Sequence, residues 1–540
     1  MTTDFKVGGD ALACPAIPPR GPLLGRTGRV LALLFPDVPQ PRPQSCARAV
    51  VAALGYLLAV ALGAWVLLER QVGARPWNTI WAEDGGIFYP GALLHPLTSV
   101  MQPYAGYLQL VPRLIAEGVA VLPLRAAAAG FAIAGALVAA ACAVFVCHAS
   151  AGHVRTQALR WLLAAGVIFL PSALTEISDN GVNTPWYLLF ALFWALLWRP
   201  RSGKAMAVSA VVCFAAASSN ALAAVCAPLV LARLIALPRG REQVASLGWA
   251  AGGALQLVAV VRSARFHQVG HISVGLHFYL RSVLVTAVAG RHFAALLNAA
   301  TGAALGAAIP ACVMAAVAVW ALITGEPQIR MFVTTALGLG IALVLVSAIA
   351  RGWGAPGLDH AAQPGDRYAT TPIWLAYSLA VVVIDGYLQH ASDCGRRARG
   401  SLAAAALAAL MGAVWAADFS YISMRSTDPP WSQIVSGFQQ RCEQQPSPTA
   451  WAQLPPMHWI RMPPTLPCSL LNLGARPAQP QYLATGQIIG RTAFGDAAMD
   501  AGGGHHRHHR RDQGDPLLGQ DQIATMMTTN GLPLLDRFDA

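Results

Sequence analysis

From residue 49 to residue 68 the chain runs through alanine, valine, leucine and glycine, with one tyrosine and one tryptophan and no charged side chain. A helix needs about 20 such residues to cross hydrocarbon, where no water satisfies an open backbone group. Comparable stretches recur near 126–147, 160–176, 185–198, 205–218, 221–237, 245–262, 300–323, 331–350, 371–388 and 401–418. Two more are ambiguous: 105–123, broken by Pro112 and Arg113, and 278–299. Charged residues make up only 11% of the chain, against about 25% in soluble domains. The recurrence therefore predicts an all-α, polytopic transmembrane bundle of about eleven spans, with roughly ten to thirteen allowed by the ambiguous stretches.

The net charge of +12 does not point to nucleic acid, because no recognition motif accompanies it and the basic residues fall in alternate short loops. Arg20, Arg26, Arg29, Arg42 and Arg48 precede the first span. Further along come Arg155 and Arg160, Arg199, Arg201 and Lys204, Arg233, Arg239 and Arg241, Arg330, and Arg396, Arg397 and Arg399. The positive-inside rule then puts the N-terminus in the cytoplasm and the C-terminus outside, in a multi-pass plasma-membrane protein whose partner is the lipid bilayer. The organisation expected is a disordered leader (1–48), a membrane domain (49–418, with a first outer loop at 69–125), a small extracytoplasmic lobe (419–477) and a low-complexity tail (478–540) containing GGGHHRHHRRDQGD. Cys442 and Cys468 are the two cysteines of the expected outer lobe, and an even pair in an oxidising compartment reads as a disulfide.

Polar chemistry gathers in the expected outer loops. The first contains WAEDGGIFYP, with Glu83 and Asp84 beside interfacial Trp81 and Tyr89. A carboxylate there can accept a proton from a hydroxyl, and two together allow a divalent cation such as Mg or Mn without requiring one. The sequence is equally good turn chemistry. After the third span, Glu176, Asn180, Asn183 and Trp186 could bind and stack a sugar, or the Asn residues could cap helices. Gly-Asp-Arg-Tyr before the tenth span brings Arg367 and Tyr368, where the arginine fork suits a phosphate and the pair also suits a membrane-edge anchor. Arg113, Arg262 and Arg265 are further candidates for an anion. His267 and His271 lack a third ligand nearby, which argues against a metal.

The pattern W-x-E-D-G-x-x-F-Y, followed by P-Y-A-G-Y and P-R, resembles the first extracytoplasmic loop of the GT-C superfamily of polytopic membrane glycosyltransferases, in particular an actinobacterial-type branch. The later R-Y and a C-terminal W…L-P-C are similar to features of the same group, and the resemblance covers roughly residues 45–470. It implies a polyprenyl-phosphate sugar donor, a glycan or lipid acceptor of the cell envelope, and inversion at the anomeric carbon. Asp84 or Glu83 is then the catalytic base, Arg367 with Arg113 the phosphate reader, and Tyr104 and Tyr107 the packing surface for sugar or lipid. Many superfamily members carry Asp-Asp or Asp-Glu where this chain has Glu-Asp, so the order of the two acids leaves the catalytic one open. A transporter or flippase of lipid-linked glycans is the rival reading, though no repeat between the halves favours it, and a non-catalytic multipass membrane protein is a third.

Overall fold

The computed structural model of the protein describes residues 25–37, 46–171, 176–238, 240–263, 270–353, 367–393, 395–420, 424–444, 451–453 and 464–472. These residues fold as a helical bundle. In chain order the helices are α1 (Arg26–Leu31), α2 (Cys46–Arg70), α3 (Tyr89–Leu94), α4 (Leu110–Val119), α5 (Ala127–Ala149), α6 (Gln157–Ile168), α7 (Thr184–Leu197), α8 (Gly203–Ser219) and α9 (Ala227–Ala236). Then follow α10 (Val244–Ser263), α11 (Ile272–Phe278), α12 (Val285–Ala289), α13 (His292–Thr301), α14 (Ala303–Thr324), α15 (Pro327–Ala350), α16 (Arg367–Asp393), α17 (Arg397–Ala417) and α18 (Trp431–Glu443). Among the described residues, eight helical stretches are long and apolar enough to cross a membrane. Helices α6 to α9 are shorter; α7 is buried along its whole length, while α8 and α9 turn Val208, Val211, Leu231 and Leu234 outward. Helix α2 turns Leu54, Leu57, Leu58, Leu62 and Trp65 outward, a face suited to acyl chains.

Two fully buried arginines mark the two ends of the bundle. Carbonyls at a helix C-terminus have no partner within the helix. At the end bearing residues 71–123, here the loop end, Arg70 donates to the carbonyls of Ile168 (2.5 Å) and Phe169 (3.3 Å) after α6, and of Asp418 (3.2 Å) and Phe419 (3.0 Å) after α17. At the far end Arg233 donates to the carbonyls of Leu196 (2.5 Å), Trp198 (2.9 Å) and Glu242 (2.8 Å). Buried carboxylates do the complementary work for amides that open helices. Asp385 accepts from the N–H groups of Arg155 and Thr156 just before α6, and Asp418 from those of Arg291 and His292 at the start of α13.

Several sequence-based expectations change. The stretch near 160–176 gives a helix that stops at Ile168, before Pro171, with its last carbonyls taken by Arg70. Residues 105–123 form no span: a tight hairpin at 104–107 leads into the ten-residue α4. The ambiguous 278–299 resolves into α11 and α12, joined by a π-helical turn (Tyr279–Leu284), and then α13. The unit Ile272–Ala289 is long and apolar enough to span, yet both its flanks are tied to the loop end. Gly270 and His271 donate to Ile349 and Trp353 at the end of α15, and Arg291 and His292 donate to Asp418 after α17. Helix α16 runs antiparallel to both α15 and α17, since Gly386 abuts Ile329 and Gly400 abuts Leu388 while Tyr377 meets Trp415, so those two C-termini share an end.

Within the expected disordered leader, residues 26–37 are ordered. Their local run VLALLF buries Leu34 and Phe35 in the main core, and Asp37 pairs with Arg199 at 2.9 Å. Averaging over the Pro- and Arg-rich leader hides that short apolar run. A second apolar core joins the first loop (Ile80, Trp81, Phe88, Tyr89), α4, the start of α5 and the segment beyond α17. In that last segment α18 contributes Trp431, Ile434, Val435 and Phe438, and two short antiparallel strands (Trp451–Gln453 and Thr465–Pro467) lie beside it. A disulfide joins Cys442 to Cys468. Residues 473–540, including the low-complexity stretch, lie outside the described residues.

Candidate functional site

The two acids of the first loop face different surroundings. Asp84 opens a π-helical turn (Asp84–Phe88) and is completely buried. Its Oδ2 accepts from the Gly181 N–H at 2.8 Å and its Oδ1 from the Val182 N–H at 2.9 Å, just ahead of α7. This is the same two-amide arrangement made by Asp385 and Asp418. Burial pushes its carboxyl up to about 7, the Gly181 amide opposing, Glu83 reinforcing and Arg425 opposing. Each Asp84 oxygen accepts from a backbone amide, so the carboxylate serves first to hold the loop ahead of α7. Among the described residues no group of three or more His, Cys, Asp or Glu gathers.

Glu83 is half-buried. Its charge acts on Tyr104 and Tyr107, as do the guanidinium groups of Arg351 and Arg367. The two tyrosines pair across a tight turn, Tyr104 N–H to Tyr107 O at 2.9 Å and Tyr107 N–H to Tyr104 O at 3.2 Å. Between them Ala105 (φ 53°) and Gly106 (φ 88°) both take the left-handed conformation that a primed hairpin turn needs. Burial raises both phenols above their usual range; Glu83 adds to the shift and the arginines oppose it. The Arg351 guanidinium lies 5.7 Å from the Tyr107 ring and that of Arg367 5.5 Å from the Tyr368 ring. Tyr368 is itself wedged edge-on between Trp186 (5.3 Å) and Trp353 (5.0 Å). Glu176 brings its Oε2 to 3.7 Å from Arg367 Nε. Two carboxylates, two guanidinium groups and three phenols thus converge at the loop end from the first loop, the loop before α7, the end of α15 and the start of α16.

Other expected residues are placed differently. Asn180 and Asn183 turn inward: Asn180 Nδ2 donates to the Glu176 and Ser178 carbonyls, its Oδ1 accepts from the Asn183 N–H, and Asn183 Nδ2 donates to the Glu176 carbonyl. They fold the loop rather than face a ligand. Arg113 is buried, with its guanidinium 4.7 Å from the Phe88 ring. Desolvation lowers it to about 10, with Glu117 and then Tyr104 opposing. Arg262 ends α10, while Arg265 and His267 lie outside the described residues. Arg351 is absent from the sequence expectations. Its signal was an arginine at the loop end of a span, against the basic bias of the other side.

In comparisons with protein-family models, curated proteins and solved structures, nothing matches this chain.

Proposed function

We propose that the protein is a membrane glycosyltransferase that moves a sugar from a polyprenyl-phosphate donor to a cell-envelope acceptor hydroxyl, with Glu83 rather than Asp84 as the general base. The observation that carries the reading is the divergence of the two acids. Glu83 shares its surroundings with Tyr104, Tyr107, Arg351 and Arg367, whereas Asp84 spends both oxygens on amides. In the reaction the acceptor oxygen attacks the anomeric carbon, its proton passes to Glu83, and the carbon–oxygen bond to phosphate breaks with inversion. The leaving phosphate gains negative charge, which Arg351 and Arg367 stabilise. Tyr104 and Tyr107 offer ring faces and hydroxyls to the sugar, while Tyr368, packed between Trp186 and Trp353, backs Arg367. Eleven crossings, with Ile272–Ala289 re-entrant, would put the loop end outside and the N-terminus in the cytoplasm; the basic far end supports that orientation.

The test uses full-length protein in nanodiscs containing envelope lipids, supplied with a radiolabelled glucosyl or mannosyl polyprenyl phosphate. Glu83→Gln should lower transfer by about 10²–10⁴-fold, the range for loss of a general base. Arg351→Gln should weaken donor use. Full transfer by Glu83→Gln would remove the assignment of the base, and no transfer by wild type from either donor would remove these two sugars.

A further inference from the structure

Helix α4 carries an arginine with no ion-pair partner among the described residues. Arg113 is 3% exposed and its Nε is enclosed without a partner. Among the described residues no oxygen comes within hydrogen-bond or ion-pair distance of its guanidinium. Glu117, one turn further along the helix, is the natural partner at this spacing. Its Oε1 instead accepts from the Leu97 N–H at 2.9 Å and the Ser99 hydroxyl at 2.8 Å, so it acts on Arg113 only from a distance. The Phe88 ring, 4.7 Å from the guanidinium, offers a π face, but a ring face leaves the N–H donors of the fork without acceptors. A charge withdrawn from water in this way is expensive unless something pairs with it. Four residues earlier the Oε1 of Gln109, itself 3% exposed, is likewise enclosed without a partner. The start of α4 thus holds spare donors for an oxyanion and a spare acceptor for a hydroxyl.

The surroundings keep a place for the fork. Gly91 on α3 packs against it so closely that a Cβ there would lie 2.9 Å from Arg113 Nη1. Glu117 and Tyr104 are the ionisable groups that act on Arg113, whereas Arg351 and Arg367 act on Tyr104 and Tyr107. Tyr104 is common to both sets. Its ring meets that of Phe88 edge-on at 5.5 Å, so Phe88 lies between Arg113 and a tyrosine on which Glu83 also acts. We propose that Arg113 and Gln109 form a second anion subsite, which binds a phosphate or carboxylate group carried by the hydroxyl-bearing acceptor. The donor phosphate stays with Arg351 and Arg367, so different arginines read the charges of the two substrates. Naming the ligand as the acceptor rests on the reading of Glu83 as the base that takes the acceptor's proton; the anion subsite itself does not.

The experiment uses full-length protein in nanodiscs of zwitterionic phosphatidylcholine and titrates three probes by calorimetry. Glycerol 1-phosphate and glucuronate each join an anion to free hydroxyls, and farnesyl phosphate stands for the donor. The variants are Arg113→Gln, Gly91→Ala and Arg351→Gln. Gly91→Ala pushes the guanidinium tip aside without removing its charge, and alanine is the better helix former, so the fold is kept. Wild type should bind one or both of the hydroxyl-bearing probes, and the one it binds names the anion as phosphate ester or carboxylate. Arg113→Gln and Gly91→Ala should each weaken that binding about tenfold, the scale of a lost charge-assisted hydrogen bond. Arg351→Gln should leave it unchanged, and farnesyl phosphate should show the reverse pattern. A thermal melt of Gly91→Ala at or above that of wild type shows that its loss of binding is local. No binding of either hydroxyl-bearing probe to wild type overturns the proposal, and so does binding that Arg113→Gln and Gly91→Ala leave intact. Equal weakening of farnesyl phosphate by Arg113→Gln and Arg351→Gln overturns it too, since both arginines would then serve one phosphate. If the probes bind through Arg113 while wild type transfers no sugar from the radiolabelled donors, the glycosyltransferase reading and the naming of the acceptor fail, and the anion subsite stands.

Discussion

The carboxyl of Asp84 releases its proton near pH 7 in the folded protein, against 3.8 for an ordinary aspartate. Between those values the native state holds a proton that the unfolded chain has lost. Its contribution to stability therefore improves as pH falls from about 7 toward 4, and the burial penalty is largest above 7. Asp179, raised to about 6 by burial, adds a term of the same sign. The expected outcome is that Asp84→Asn melts with a shallower pH dependence than wild type between pH 5 and 8, measured by intrinsic fluorescence in detergent. At pH 5 it should also lose about 1–3 kcal/mol, since an amide nitrogen placed against an N–H donor leaves one group unsatisfied. Equal slopes for the two proteins would refute the assigned titration. The distinction between Asp84 and Glu83 could not be read from the chain, because adjacency says nothing about which way each side chain points. It is the backbone of 181–182, nearly a hundred residues away in sequence, that claims one of them. Asn180 and Asn183 were legible only as an alternative between caps and ligands, and the loop uses their amides internally.

At the scale of elements, the hairpin that presents Tyr104 and Tyr107 carries a visible cost. Ala105 is exposed and sits at φ 53°, where a Cβ crowds the following carbonyl. Ala105→Gly should raise stability by about 0.5–1 kcal/mol once glycine's greater unfolded entropy is subtracted, with ligand binding unchanged. A thermal melt checks it, and a loss of stability would contradict the strain. The unit Ile272–Ala289, with both flanks bonded at the loop end, gives a second expectation. Single cysteines replacing His271 and Arg291 should be labelled by a membrane-impermeant maleimide from the same side of sealed vesicles. Labelling from opposite sides would make the unit a crossing. Length and hydropathy left 278–299 ambiguous; the flanking hydrogen bonds, to α15 and to Asp418, are long-range and invisible to a sliding window. The long helices, by contrast, were legible to within a few residues at each end, because lipid forces each to satisfy its own backbone.

For the whole molecule, the segment beyond α17 matters as more than an appendage. It completes the apolar core under the first loop, and its Trp431 donates an indole N–H to the Leu124 carbonyl at 2.8 Å. Cys442 and Cys468, 26 residues apart, close this segment on itself. Cys442→Ser/Cys468→Ser should lose about 3 kcal/mol of local stability on the chain-entropy account, seen as faster proteolysis of 431–472 with the bundle intact. Proteolysis at the wild-type rate would show that packing alone holds the lobe. The order of synthesis gives this arrangement a meaning in time. Asn78 accepts from the Ser432 N–H, 354 residues later. At roughly 5–20 residues per second the first loop waits on the order of 20–70 s before its partner exists. For that interval Ile80, Trp81 and Phe88 lie at the membrane surface without their lid, so the protein's earliest-made loop is its last to mature, and a ribosome that stops short of residue 431 leaves behind a bundle whose loop end never closes.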